Sequence, residues 1–312
     1  AGTDFYYEAA VAGAIPVVYA LRESMAGDRV TSVLGIVNGT TNYILDEMST
    51  KGLSFEEALA TAQALGYAEA DPTADVDGLD AAAKAAILAS LSFHTRVGLS
   101  DVQVEGIRSV TADDIREAHA SGCELKLLAI AQLREDEHAR GVSVRVHPAL
   151  VPADHPLASV HGAYNAVLVE AESAGRLMFY GQGAGGAPTA SAVLSDVVAA
   201  AAHRVYGGRA PRESSYARLS VLGPEAAVTR YQIQLRVEDA AGSLAAMAGV
   251  FADNEVSINS VRQSAYVTRD GAAVVTFVTH PAPVFHLDAA VEGLRDSERV
   301  LEVVSVWRVE GQ

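Results

Sequence analysis

A chain of 312 residues, half of them hydrophobic, is long enough for two domains, each with its own core. The formal net charge of −16 argues against nucleic acid or an anionic membrane as partner, because both are held through basic patches. The single cysteine, Cys123, rules out an intrachain disulfide and fits a reducing compartment such as the cytoplasm.

No uncharged apolar run reaches the length of a membrane span, and no basic stretch followed by an apolar one marks a signal peptide at the start. Residue 1 is Ala rather than Met, and the chain opens inside what reads as a structured segment, so a fragment or a processed chain is expected. Residues 6–26 read as helical, with alanine-rich apolar spacing interrupted at Gly13 and Pro16. Arg29–Val37 is β-branched and alternating and predicts a strand, followed by a helix over Thr41–Thr50. Ser54-Phe55-Glu56-Glu57 has the form of a capping box that opens a helix to about Leu65, with Gly66 at its end. A long helix is predicted over Leu79–His94, and Thr111 caps another. Glu124–Leu133, Val142–Pro148, Ala166–Ala171 and Leu177–Tyr180 read as strands of one sheet, and Ala190–Tyr206 as a helix. Residues 207–228 are expected to link it to a second domain over 229–312. There, strands at Tyr231–Val237, Val256–Tyr266, Ala272–Thr279 and Leu301–Val309 alternate with helices at Gly242–Asn254 and Leu287–Asp296. A turn at Arg269-Asp270-Gly271 joins the middle strands. That order, βαββαβ, is the ferredoxin-like split unit, in which the second strand is expected to pair beside the first. The fold class expected is α+β: a mixed-sheet domain over residues 1–206, then the ferredoxin-like unit.

The chemistry concentrates between Gly66 and Lys84. Asp80 and Lys84 are four residues apart and project from one helical face, while Glu69 and Asp75 lie in the irregular segment leading in. The group offers carboxylates to hold an ammonium and a lysine for proton transfer. The same residues also read as an acidic turn with an ordinary helical ion pair. Gly181, Gly183 and Gly186 form Gly-x-Gly-x-x-Gly between a strand and a helix. We reject a dinucleotide fingerprint there, because the helix leads into a linker rather than a second parallel strand. Asn38-Gly39-Thr40 lies between a strand and a helix, where free amides can hold a carboxylate, or where Thr40 or Thr41 is simply a cap. His147, His155 and His161 lack the spacing of a zinc site, and no Gly-x-Ser-x-Gly elbow is present.

The segment Gly66-Tyr67-Ala68-Glu69-Ala70-Asp71-Pro72, continued by Asp75, Gly78, Asp80, Ala81, Ala82 and Lys84, resembles the signature of homoserine dehydrogenases. Tyr7-Glu8-Ala9-Ala10-Val11-Ala12-Gly13-Ala14-Ile15-Pro16, Gly35-Ile36-Val37-Asn38-Gly39-Thr40-Thr41-Asn42, and Gly181–Ser191 match the same family in its order. The second domain, with Val237–Ala245 at its first strand–helix junction, is similar to the ACT amino-acid-sensing module.

This resemblance implies interconversion of L-homoserine and L-aspartate 4-semialdehyde with NADP or NAD, in threonine, methionine and isoleucine biosynthesis. It implies Lys84 as proton donor and acceptor, Glu69 as holder of the substrate ammonium, and Asp80 contacting substrate and orienting Lys84. Asp75, Tyr67 and Thr40 line the same pocket, Gly66 and Gly185 lie near the cofactor, and Glu8, Val11, Gly13 and Ile15 form a site for a monovalent cation such as Na⁺. In the family a nucleotide-binding domain comes before the Tyr-Glu-Ala motif, so the 312-residue chain alone is expected to be inactive. For the ACT-like module the resemblance implies a threonine effector at Asp239, Gly242, Asn254, Ile258 and Asn259, within a dimer or tetramer. A non-catalytic amino-acid-binding regulator derived from the enzyme is the alternative reading.

Overall fold

The computed structural model describes residues 4–136, 139–210, 214–263 and 272–311. They fall into two compact units that divide at Leu222 and Gly223, inside the segment expected to be a linker.

The first unit opens with a 3-10 turn at Glu8–Ala10, a short helical turn α1 (Val17–Tyr19) and a π-turn at Ala20–Ser24. The single helix expected over residues 6–26 is therefore corrected to a 3-10 turn and, after a break, the short α1 and π-turn. Ala12 and Gly13 both take positive φ, +58° and +56°, which no continuous helix allows. The cause is tertiary: a Cβ on Gly13 would lie 2.4 Å from the Gly183 carbonyl oxygen, so the chain turns sharply to let that loop approach.

Strand β1 (Val30–Ile36) leads into α2 (Gly39–Lys51). Asn38 caps α2 by accepting the Thr41 amide at 2.9 Å, and Gly52 ends it at φ +68°. The expected capping box opens α3 (Phe55–Ala64), with the Glu57 carboxylate returning to the Ser54 amide at 2.9 Å. After α4 (Thr73–Val76) comes α5 (Leu79–Phe93), whose buried face is built from Ala81, Ala82, Ala85, Leu88 and Ala89. Small side chains let α5 lie close across β1 and the long strands β3 (Cys123–Glu135) and β4 (Arg140–Pro152). The two-residue strand β2 (Gln103–Val104) pairs in parallel with β4, and α6 (Ala112–Ala120) opens on the Thr111–Asp114 capping box.

Strands β5 (Tyr164–Ala171) and β6 (Gly175–Gln182) complete the sheet in the order β6-β5-β1-β3-β4, with all these neighbours antiparallel. Leu34, Ile36, Leu128, Ile130, Val151, Leu157 and Leu168 form the core on one face of this sheet. Helix α7 (Gly186–Tyr206) starts four residues earlier than expected, because Gly185 at φ +118° ends the preceding loop. Only Ala192 of α7 is buried, while Val193, Leu194, Val197, Val198, Val205 and Tyr206 are exposed.

Lys126 on β3 is 1% exposed, and among the described residues its ammonium reaches only neutral oxygens, the Val160 carbonyl at 2.7 Å and Asn42 Oδ1 at 3.5 Å. Burial lowers its pKa, opposed by the fields of Asp46 and Glu124. The unfolded chain therefore holds this proton to higher pH than the native one. Stability linked to Lys126 is complete above the unfolded value, about 10.4, and is lost as pH falls through the lowered native value. Urea unfolding at pH 7.5 and 9.5 should show wild type gaining stability with pH and Lys126→Met gaining less. Equal gains would show that Lys126 carries no such linkage.

The second unit comprises β7 (Val228–Glu238), α8 (Ser243–Asp253), β8 (Ile258–Gln263), β9 (Ala272–Thr279), β10 (Ala282–Pro283), α9 (Val284–Arg295) and β11 (Val300–Val309). Its long strands run in the order β11-β7-β9-β8, all antiparallel, and both helices cover one apolar face centred on Phe251, Phe277, Leu287 and Leu294. This corrects one expectation: β8 does not pair beside β7, because β9 inserts between them, as a split βαβ unit requires. The expected turn at Arg269-Asp270-Gly271 lies outside the described residues, as does the end of the strand expected to reach Tyr266.

Candidate active site

The site grows from the end of β1. The Val37 carbonyl accepts a hydrogen bond from Lys84 Nζ at 2.9 Å, and Lys84 also donates to Asp80 Oδ2 at 2.7 Å. Both residues stand on α5, one turn apart, and both are part-buried. An ammonium has three N–H donors, so one remains uncommitted among the described residues.

Asn38 ties the group together. Its amide nitrogen donates to Asp75 Oδ1 at 2.7 Å and to Asp80 Oδ2 at 2.9 Å, while its oxygen is fixed by capping α2. One 6%-exposed side chain thus brings together two carboxylates from different segments. Asp75 is held in place through α4, where the Val76 carbonyl accepts the Ile107 amide at 2.8 Å. A Cβ on Gly106 would lie 2.2 Å from that oxygen, so only glycine lets the two backbones close.

Thr40 and Tyr67 also meet, the Thr40 hydroxyl donating to the Tyr67 carbonyl at 2.6 Å. The Tyr67 ring lies 4.8 Å from that of Tyr43, centroid to centroid. Gly66 closes α3 at φ +77° with open space where a Cβ would project. Glu69 is not drawn into the cluster. It is exposed, its carbonyl accepts from Gln63 Nε2 at 3.0 Å, and among the described residues its carboxylate takes no hydrogen bond.

The glycine-rich loop has its own geometry. Gly183 packs on Asn165, Gly181 on Ile15, and the Gln182 carbonyl accepts the Ala14 amide at 3.3 Å. Glycines 181 and 183 therefore serve close packing. At the start of α7, Gly186 has open space where a Cβ would project, while a Cβ on Gly185 would lie 3.4 Å from the Pro188 ring.

Glu8, Val11, Gly13 and Ile15 fall in the opening segment that runs from the 3-10 turn to α1. Both Glu8 oxygens are engaged, accepting the Val18 amide at 3.0 Å and the Tyr19 amide at 2.8 Å. Burial raises the Glu8 carboxyl above the ordinary range, and these two amides pull it back. The Ile15 carbonyl accepts the Val17 amide at 2.8 Å, and no cluster of three or more His, Cys, Asp or Glu able to hold a metal is found among the described residues.

Sequence reasoning missed the Asn38 side chain and the Val37 carbonyl as members of the lysine cluster. Asn38 stands in the Gly35–Asn42 motif, but its partners lie 37 and 42 residues downstream and leave no periodic trace.

The homoserine dehydrogenase family profile matches residues 16–198. A homoserine dehydrogenase of Mycobacterium tuberculosis is 58% identical over 315 residues, which cover 100% of this chain and 71% of the relative. The crystal structure of a homoserine dehydrogenase from Thiobacillus denitrificans superposes with a TM-score of 0.87 at 37% identity, covering 97% of this chain and 69% of that one. A hyperthermophilic archaeal homoserine dehydrogenase mutant, solved in complex with NADPH, matches 62% of this chain and 55% of its own with a TM-score of 0.53 at 31% identity.

Proposed function

The chain belongs to the homoserine dehydrogenase family of oxidoreductases, and from that premise we propose that Val37, Asn38, Asp75, Asp80 and Lys84 form the acid–base half of the interconversion of L-homoserine and L-aspartate 4-semialdehyde. A bound NADP or NAD supplies the hydride chemistry, accepting or giving hydride at its nicotinamide. Gly66 and Gly185 would lie against it.

The observation that carries this reading is the uncommitted N–H of Lys84, held between Val37 and Asp80. In alcohol oxidation a neutral Lys84 takes the hydroxyl proton as hydride leaves the same carbon. In aldehyde reduction the ammonium returns it. Asp80 holds the lysine, and Asp80 and Asp75, both bonded to Asn38, face the substrate. Glu69 is free to take the substrate ammonium, and Tyr67 and Thr40 bound the pocket. A Na⁺-like cation beside Glu8, Val11, Gly13 and Ile15 would brace the glycine loop from behind.

Cofactor absorbance during L-homoserine oxidation tests the assignment. Asp75→Asn should raise the homoserine KM several-fold, by removing one of the two charges Asn38 aligns, and leave cofactor affinity unchanged. An unaltered KM would take Asp75 out of the substrate pocket.

The second unit we assign as an amino-acid sensor with threonine as effector, acting in a homo-oligomer. The Gly242 turn at φ +90° opens α8 three residues after Asp239, with the Ser243 amide donating to the Ala240 carbonyl at 3.2 Å. Asn254, Ile258 and Asn259 lie at the other end of α8 and on the edge strand β8, so they join Asp239 and Gly242 only if a second copy supplies them. Calorimetric titration of the protein with millimolar threonine should give heat and a raised melting temperature. Neither signal would leave the unit a purely structural role. No described helix is long and apolar enough to cross a membrane. The lone cysteine, a buried free thiol, fits a reducing compartment, and on that ground we assign the protein to the cytoplasm.

A further inference from the structure

Asn165, the second residue of β5, is 1% exposed and carries no role in the reading above. Its amide sits between the two halves of the site. On one side, a Cβ built on Gly183 would lie 2.0 Å from Asn165 Nδ2 and 2.1 Å from its Cγ, so the glycine loop rests directly on this side chain. On the other, a Cβ on Gly39 would lie 3.5 Å from Asn165 Oδ1, which places the amide oxygen beside the start of α2. That oxygen is buried and has no hydrogen-bond partner among the described residues. A buried amide oxygen left unpaired is costly, and a leucine of similar volume would avoid the cost. The positive end of the α2 dipole offsets part of it.

The strand end that carries Asn165 is itself immobilised. Asn42 Nδ2 donates to the carbonyls of Val160, Gly162 and Tyr164 at 3.2, 2.9 and 3.3 Å, and the Asp46 carboxylate accepts the Gly162 amide at 2.8 Å. Asn42 and Asp46 both stand on α2, the helix that Asn38 caps. Asn165 is therefore anchored to the element that aligns Asp75, Asp80 and Lys84, and presses against the loop that ends at Gly185.

We propose that Asn165 is a positioning residue for hydride transfer: a rigid spacer that sets the separation between the Asn38–Thr40 turn and the Gly181–Gly186 loop. The proposal rests on the assignment of these two segments to substrate and cofactor. Its removal leaves each ligand its own contacts but loosens their mutual alignment, and misplacement by about 1 Å costs on the order of 10²-fold in rate.

The test uses the holoenzyme. Asn165→Ala should lower kcat by about tenfold or more, while dissociation constants for homoserine and cofactor, measured by fluorescence titration, change by less than about threefold. The primary isotope effect with deuterated cofactor should rise, because the hydride step becomes slower relative to release. Gly183→Ala should be severely impaired in the wild-type background and much less so in Asn165→Ala, where the clashing amide is gone, a non-additivity expected only of groups in contact. A kcat within about twofold of wild type overturns the proposal, as does an activity loss that merely tracks the folded fraction with an unchanged isotope effect. If Lys84→Ala stays active, the assignment of the site fails. If Lys84→Ala is dead while Asn165→Ala behaves as wild type, only the spacer role fails.

Discussion

Replacing Lys84 by Ala in the holoenzyme is expected to lower kcat by about 10²–10⁴, the usual size of a general acid–base contribution. Folding should be little affected. The Asp80–Lys84 pair is an i,i+4 contact with part-exposed side chains, worth a few tenths of a kcal/mol at about that spacing. Steady-state rates in both directions, with a thermal melt of each variant, separate the two effects. Lys84→Arg sharpens the result, because arginine keeps the charge and the partner Asp80 yet cannot give up its proton near neutral pH. It should be nearly as inactive as alanine. A Lys84→Ala enzyme that keeps more than half of wild-type kcat removes this residue from the mechanism.

Asn38→Ala is expected to be damaging in two ways at once. Loss of the α2 cap costs about 1 kcal/mol. Loss of a buried donor shared by two carboxylates leaves Asp75 and Asp80 to repel each other, at a further cost of about 1.5–3 kcal/mol per hydrogen bond to a charged group, discounted for the part-exposed acids. The Lys84 ammonium then follows a displaced Asp80, and kcat should fall on the order of 10²-fold. Urea unfolding and turnover of the purified variant measure both terms. A variant as stable and as fast as wild type would mean that the Asn38 bridge is incidental. Asn38→Asp should not restore function, since it adds a third carboxylate where two already meet.

What the sequence made legible was local. Both Ser54–Glu57 and Thr111–Asp114 signal helix starts by the capping they perform, and Asp80–Lys84 shows as a pair because a helix turn brings i and i+4 together. Features set by distant contacts left no such mark. The alanine-rich spacing of residues 6–26 suggests a helix, but the approach of Gly183 to Gly13 and the engagement of Glu8 by two amides impose a turn. Strand β3 extends past its apolar run through Arg134 and Glu135, and β4 continues beyond Pro148 through Ala149, Leu150 and Val151, because the two pair along a thirteen-residue ladder. In the second unit, chain order alone suggested that β8 follows β7 in space, whereas the antiparallel pairing of β8 with β9 places it at the edge. The Asn38 bridge and the Asn165 spacer belong to the same class: single polar side chains whose partners are assigned by the fold.

The most direct test of the acid–base role of Lys84 is chemical rescue of the Lys84→Ala holoenzyme by small amines. The removed side chain is part-exposed, so its cavity opens to solvent. Ethylamine and its primary homologues should restore homoserine oxidation in proportion to the concentration of the free base, with tetramethylammonium inert because it carries no transferable proton. Equal restoration by tetramethylammonium, or rates independent of the amine's protonation state, would contradict a proton transfer at Lys84 and leave it a merely electrostatic role.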